Sequence, residues 1–270
     1  MKTQKIDTGR LAINVAIAGD GPPVVLLHGL GWDHHLWDRQ LRDLSSKYQV
    51  IAPDTRGHGL SDVPDGPYSI AAYRDDLLSL LDTLKLDKVT LIGFSQGGMT
   101  ALTMATSMPE RLKALGVLCS VEKGHPDGQA NMEKRIAAMD AQGPEAAARI
   151  AGASVFSEAF IASRLDYFES FVAHRVKANA KGLIAAMRAG AGYDLSSKVG
   201  AIDLPTLVVA GGVDKLAPPQ AVRVVADMIP GSSFHLFPEC GHMVPIEAPA
   251  EFDALLEGFL DRVHTETVDA

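Results

Sequence analysis

Val89–Ala105 reads VTLIGFSQGGMTALTMA: an apolar run, then Gly93-Phe94-Ser95-Gln96-Gly97, then a segment with helical spacing. A strand, a sharp turn and a helix in that order would lift the Ser95 hydroxyl to the tip of a strained turn, clear of its neighbours. Gly93 and Gly97 suit such a turn because a Cβ at either position would clash across it. The helix that follows would aim its dipole and its free N–H groups at the same point. A bare G-x-S-x-G is common by chance, so its weight here comes from the flanks.

The rest of the chain supports the same architecture. Short apolar, β-branched runs end in Gly, Pro, Asp or Ser at Leu11–Ala18, Val24–Leu27, Gln49–Ala52, Lys88–Ile92, Leu112–Cys119, Thr206–Ala210 and Ser233–Phe237. Amphipathic segments such as Tyr73–Leu84, Met99–Ser107, Gln220–Met228 and Ala250–Val263 separate most of them. Strands alternating with helices predict an α/β fold with a mainly parallel sheet covered on both faces. Between about Val121 and Lys198 the rhythm breaks. That stretch holds no convincing strand and has helical pieces at Asn131–Met139, Pro144–Ala151, Ser157–Leu165 and Tyr167–Ala178. It reads as a helical insertion (122–198) in a core formed by 1–121 and 199–270.

Composition excludes several function classes. The 270 residues carry 25 basic and 33 acidic side chains, a formal net charge of −8, with no run of like charges, which argues against nucleic-acid binding. No apolar run approaches the roughly 20 residues that span a bilayer, and the N-terminus lacks a signal-peptide pattern. Cys119 and Cys240 are too few for a disulfide framework and read as buried thiols in a reducing cytoplasm. No spacing suggests a metal site or a cofactor. Oligomeric state is open, a homodimer included.

A serine hydroxyl needs a base to take its proton and an acid to orient that base. Of nine histidines, His242 stands out, because Cys240-Gly241-His242-Met243 directly follows a strand, where sites in parallel sheets gather. Asp214, in VVAGGVDKLAPP, also lies just past a strand, with Gly211 and Gly212 permitting a sharp exit. Each alone could be an ordinary loop residue, a surface histidine or a turn aspartate. Their order, Ser95, Asp214, His242, is the one expected of a hydrolase built on this turn. Two backbone N–H donors should face the developing oxyanion. One is assigned to Gln96, and the other to Leu30 in the turn His28-Gly29-Leu30-Gly31, with His28 bracing the loop.

These residues, together with Asp54-Thr55-Arg56-Gly57-His58-Gly59-Leu60-Ser61, resemble the α/β-hydrolase superfamily, from about residue 12 to 262. The resemblance implies an eight-stranded, mostly parallel sheet flanked by helices, with a helical cap inserted after strand six. HGLGWDHHLW, DTRGHGLSD, GFSQGG, PTLVVAGGVDKLAPP and GHMVPIEAP are most similar to small bacterial carboxylesterases and 3-oxoadipate enol-lactonase-type hydrolases. Ser95 at the elbow argues against haloalkane dehalogenases and epoxide hydrolases, which place an aspartate there, and Tyr167 and Tyr193 do not rescue an epoxide reading. Leu30-Gly31 lacks the proline of cofactor-free perhydrolases. Phe94 stands where carbon–carbon hydrolases of ring-fission products commonly have asparagine.

The expectation is a cofactor-free serine hydrolase of small carboxylic esters or lactones. Carbon–carbon hydrolysis and acyl transfer are rivals on the same apparatus, and a non-catalytic ligand receptor is a rival that the full set of three residues disfavours. Trp32, Phe156, Phe160, Phe168 and Arg188 are the candidates for the substrate pocket. Met132, Met139 and Phe171 join the phenylalanines as residues that either roof an apolar pocket or seat the cap on the core. Arg164, Arg175 and Arg188 could each hold a substrate carboxylate or be solvated on a helical surface. Trp37 is expected in packing, and His34 and His35 near the rim.

Overall fold

The apolar runs form a single sheet in the computed structural model, which describes residues 2–125 and 127–265. Its strands are β1 (Lys2–Asp7), β2 (Ala12–Ala18), β3 (Pro23–Leu27), β4 (Gln49–Pro53), β5 (Val89–Phe94), β6 (Leu112–Leu118), β7 (Thr206–Gly211) and β8 (Ser233–Phe237). Their order across the sheet is β1-β2-β4-β3-β5-β6-β7-β8. β1 and β2 are antiparallel to their neighbours, and every pair from β4 to β8 is parallel.

Side-chain alternation sorts the core into two layers. Val24 and Leu26 of β3 face one cluster with Trp37, Leu41 and Phe252, whereas Val25 and Leu27 face another with Leu80, Leu102 and Val225. The helices α1 (Asp38–Asp43) and α10 (Pro249–Thr265) therefore cover the first face. α2 (Ile70–Thr83), α3 (Gln96–Ser107) and α8 (Pro219–Met228) cover the second. A short helix, α9 (Val244–Glu247), precedes α10.

Between β6 and β7 lie α4 (Gly128–Val155), α5 (Glu158–Ser163), α6 (Leu165–Val176) and α7 (Ala180–Arg188). α4 is interrupted at Gly143 (φ 82°, ψ 170°), so the two pieces read from sequence are distinct, with Pro144 opening the second. Strand pairing in this region is limited, among the described residues, to one bridge, Lys123 with Asp194. The central strands and the helical insertion match the sequence reading. β1, α1 and α7 were not anticipated. β1 (KTQKID) has a single apolar residue and earns its place only by pairing with β2, Thr3 opposite Ala16.

Cys119 follows β6 and Cys240 follows β8, with β7 between them in the sheet, and both are free and buried. Burial pushes both thiols up, that of Cys240 to about 12. Native protein should therefore react slowly with a thiol reagent, while unfolded, unreduced protein should titrate both cysteines. A count below two after unfolding would mean that a bridge forms.

Candidate active site

Ser95 sits between β5 and α3 at φ 54°, ψ −117°, a left-handed conformation costly for any residue with a Cβ, on the order of 1–3 kcal/mol. The strain is held from several sides. The Ser95 N–H donates to the Leu118 carbonyl (2.8 Å), and its carbonyl accepts from the Ser120 hydroxyl (2.8 Å) and the Met99 N–H (3.1 Å). A Cβ on Gly93 would strike the Gly97 backbone, and one on Gly97 would strike the carbonyls of Leu27 and His28. The two glycines of the elbow are thus required by close approach, as the sequence suggested.

Ser95, His242 and Asp214 come together. Ser95 Oγ lies 2.8 Å from His242 Nε2, and His242 Nδ1 lies 2.7 Å from Asp214 Oδ2. With a proton on Nδ1, the ring donates to the carboxylate and accepts from the hydroxyl. The other carboxylate oxygen of Asp214 accepts from the N–H groups of Leu216 (2.7 Å) and Ala217 (3.0 Å), which fixes its plane. Asp214 and the His242 ring are both buried, so water does not compete for their bond.

The histidine loop is tied directly to the helical insertion, a feature not read from sequence. The His242 N–H donates to the Val155 carbonyl at the end of α4 (2.8 Å). Glu247 Oε2 accepts from the N–H groups of both Gly241 and Ser157, each at 3.1 Å. Glu247 stands in the stretch GHMVPIEAP, but its bridging role depends on α4 arriving from far along the chain.

His28 braces the other loop. Its Nδ1–H donates to the Gly29 carbonyl (2.8 Å), and its Nε2 accepts from the Thr55 N–H (2.9 Å). Burial holds its pKa below the ordinary histidine value, in keeping with this neutral tautomer. The Gly29 carbonyl also accepts from the Trp32 N–H (3.2 Å). In a planar trans peptide the N–H points opposite to the C=O. The Leu30 N–H therefore faces away from His28 and Trp32. Gln96 opens α3, so its N–H is among those without an intrahelical acceptor.

Leu30, Ser95, Gln96 and His242 line one cavity of about 560 Å³, walled on the side of the helical insertion by Met132, Arg135, Arg175 and Met187. Trp32 also lines it, as expected. Phe156, Phe160 and Phe168 do not. They are buried in the core cluster that seats the helical insertion, with Phe156 5.1 Å from Phe160 and 5.2 Å from Phe171 between ring centroids. Helical spacing puts them on the inner face of the insertion, and docking then covers that face with core. Arg188 reaches the rim but is half exposed and forked onto Glu133 (2.7 and 2.8 Å). Arg164 is exposed and paired with Asp166. His34 turns inward to Asp54 (2.7 Å).

Two groups of side chains of metal-ligand type meet in the fold, from positions whose spacing in the sequence does not suggest them. They are Cys119 with Asp214 and His242, and Asp33 with His34 and His35, ligand atoms within 4.8 Å in each. In both groups the imidazoles are already hydrogen-bonded to carboxylates, at 2.7–2.9 Å.

Asp33 also ties the loop after β3 to the helical insertion, since His174 of α6 lies 3.2 Å from its carboxylate. That hydrogen bond raises the His174 pKa, and it holds the Asp33 carboxyl low although burial alone would raise it. A raised histidine pKa means stabilisation fully present below the ordinary 6.5 and lost as pH rises through the folded value. The melting-temperature gap between wild type and His174→Gln should thus shrink from about pH 6 to about pH 9. A constant gap would show that the contact works through packing alone.

Residues 22–249 match the model of the alpha/beta hydrolase fold family, and the chain belongs to that family. It is 29% identical over 255 residues to 3-oxoadipate enol-lactonase 2 of Acinetobacter baylyi, covering 93% of this chain and 94% of that one. It is 31% identical over 258 residues to a putative carbamate hydrolase RutD of Variovorax paradoxus, covering 93% of this chain and 96% of that one. Among solved structures, a thermophilic esterase from Thermogutta terrifontis with malate bound superposes with a TM-score of 0.91 at 29% identity, covering 98% and 100%. Among the described residues no helix is long and apolar enough to cross a membrane.

Proposed function

We propose that this enzyme hydrolyses small carboxylic esters or lactones through an acyl-enzyme on Ser95. The observation that carries the reading is the hydrogen-bonded line from Ser95 through His242 to Asp214, at 2.8 and 2.7 Å, opening on the cavity under the cap. The enol-lactonase and esterase relatives support the substrate class.

His242 Nε2 takes the Ser95 proton as Oγ bonds to the acyl carbon. The carbonyl oxygen becomes an oxyanion facing the N–H groups of Leu30 and Gln96. Asp214 holds the imidazole in the Nδ1–H tautomer and stabilises the imidazolium. The C–O bond to the alcohol breaks as that oxygen takes the proton from His242. Water then gives a proton to His242 as it attacks the acyl carbon, and the C–Oγ bond breaks as Ser95 Oγ takes that proton back from His242, releasing the acid. In a lactone the leaving alcohol stays tethered to the acid. The segment 122–198 acts as the cap over a core of 1–121 and 199–270, and its Val155 carbonyl and the Glu247 bridge keep the histidine loop in register.

A fluorophosphonate probe, with 4-nitrophenyl butyrate as substrate, tests the assignment. The expected result is steady hydrolysis of the ester, loss of activity on labelling, and one phosphonyl adduct mapped to Ser95. An adduct elsewhere, or turnover that survives labelling, would overturn it.

A further inference from the structure

Arg175, on α6, is 8% exposed, and among the described residues no carboxylate pairs with it. Its guanidinium donates to the carbonyls of Leu30 (3.3 Å) and Gly31 (3.1 Å), and a Cβ on Gly31 would collide with it. Gly31 is therefore glycine for two reasons, a left-handed φ of 73° and this guanidinium. Arg135, on α4, is half-buried and has no hydrogen-bond or ion-pair partner among the described residues. Both arginines belong to the wall shared by the Ser95 cavity and a second cavity of about 190 Å³ inside the cap, lined by residues such as Met139, Ile150 and Leu183.

A buried guanidinium beside a half-buried one, with no counter-ion among the described residues, is costly, because each loses hydration and the like charges repel. Burial and the neighbouring Arg135 charge pull Arg175 down to about 10, still cationic at neutral pH. The acids lining the catalytic cavity do not relieve them. Glu133 is engaged by Arg188, and Asp194 accepts from the Ser196 N–H. A negative charge carried by the ligand would compensate them, and a planar carboxylate fits a guanidinium fork.

We propose that Arg135 and Arg175 form an anion subsite of this cavity, so that the preferred ester or lactone carries a carboxylate of its own away from the scissile carbonyl. This rests on the acyl-enzyme reading above. It also gives the arginines different roles. Arg175 touches the oxyanion turn as well as the ligand, whereas Arg135 touches the ligand alone. A neutral ester leaves the pair uncompensated and forfeits that attraction.

The test compares mono-4-nitrophenyl glutarate with 4-nitrophenyl valerate, of equal chain length, in wild type and Arg135→Gln. Wild type should favour the anionic ester in kcat/KM by about ten-fold or more, and Arg135→Gln should erase most of that ratio through KM. A wild-type ratio near one, or one that Arg135→Gln leaves within about two-fold, would overturn the subsite. If Arg135→Gln does not fold, Arg135→Lys, which keeps the charge but loses the fork, should show a partial loss. Calorimetric binding of glutarate separates the two readings. If neither ester is turned over, the acyl-enzyme reading fails, and the subsite stands only if wild type binds glutarate and Arg135→Gln binds it at least about ten-fold more weakly.

Discussion

Ser95→Ala or His242→Ala should lower kcat about 10³-fold or more for any ester, with the fold intact. The hydroxyl and imidazole of these residues form the only hydrogen-bonded nucleophile and base lining the cavity among the described residues. Removing either leaves oxyanion donors and binding but no route for the proton. Asp214→Asn should cost a comparable factor for a different reason. Its Oδ1 can still accept from Leu216 and Ala217, so the amide NH₂ is left facing His242 Nδ1. The ring must then carry its proton on Nε2, where it cannot accept from Ser95. Steady-state kinetics on 4-nitrophenyl butyrate, with circular dichroism to verify folding, checks all three. Near-normal turnover by folded Ser95→Ala protein would end the serine-hydrolase proposal.

The parts of this molecule written locally were legible in its sequence. The elbow needs glycine at Gly93 and Gly97 whatever the rest of the chain does, and Asp214 and His242 announce themselves by following apolar runs. The strand alternation behind the two core layers is likewise a property of short windows. What depends on docking was not legible. β1 has no apolar pattern to read. α7 is only nine residues long, and Gly182 interrupts what is otherwise a run of good helix formers. Arg164, Arg175 and Arg188 look alike as letters on cap helices, and only burial separates Arg175 from two solvated, carboxylate-paired neighbours. Phe156, Phe160, Phe168 and Phe171 have a spacing that serves a pocket roof or a core equally well. Glu247 acquires its role only when Ser157 and Gly241 meet at its carboxylate.

That ambiguity among the phenylalanines leads to the second large effect. Phe156 is 1% exposed and packed edge-on against Phe171 and Tyr167. Truncation to alanine leaves a ring-sized void at the cap's seat and should cost about 3–5 kcal/mol. In a chain of this size that is a fall in melting temperature on the order of 10 °C. Phe156 also directly follows Val155, whose carbonyl accepts the His242 N–H, and its backbone passes against Gly241. Loosening this seat should reach every substrate through the histidine loop, lowering kcat for short and bulky acyl esters by the same factor. Met132→Ala and Trp32→Ala, which change the cavity wall itself, should instead shift kcat/KM between those esters by about ten-fold. Kinetics of all three variants on acetate, butyrate and benzoate esters decides the point. If Phe156→Ala changes selectivity while its melting temperature holds, the ring reaches substrate after all. The cap would then have to dock differently when the site is occupied.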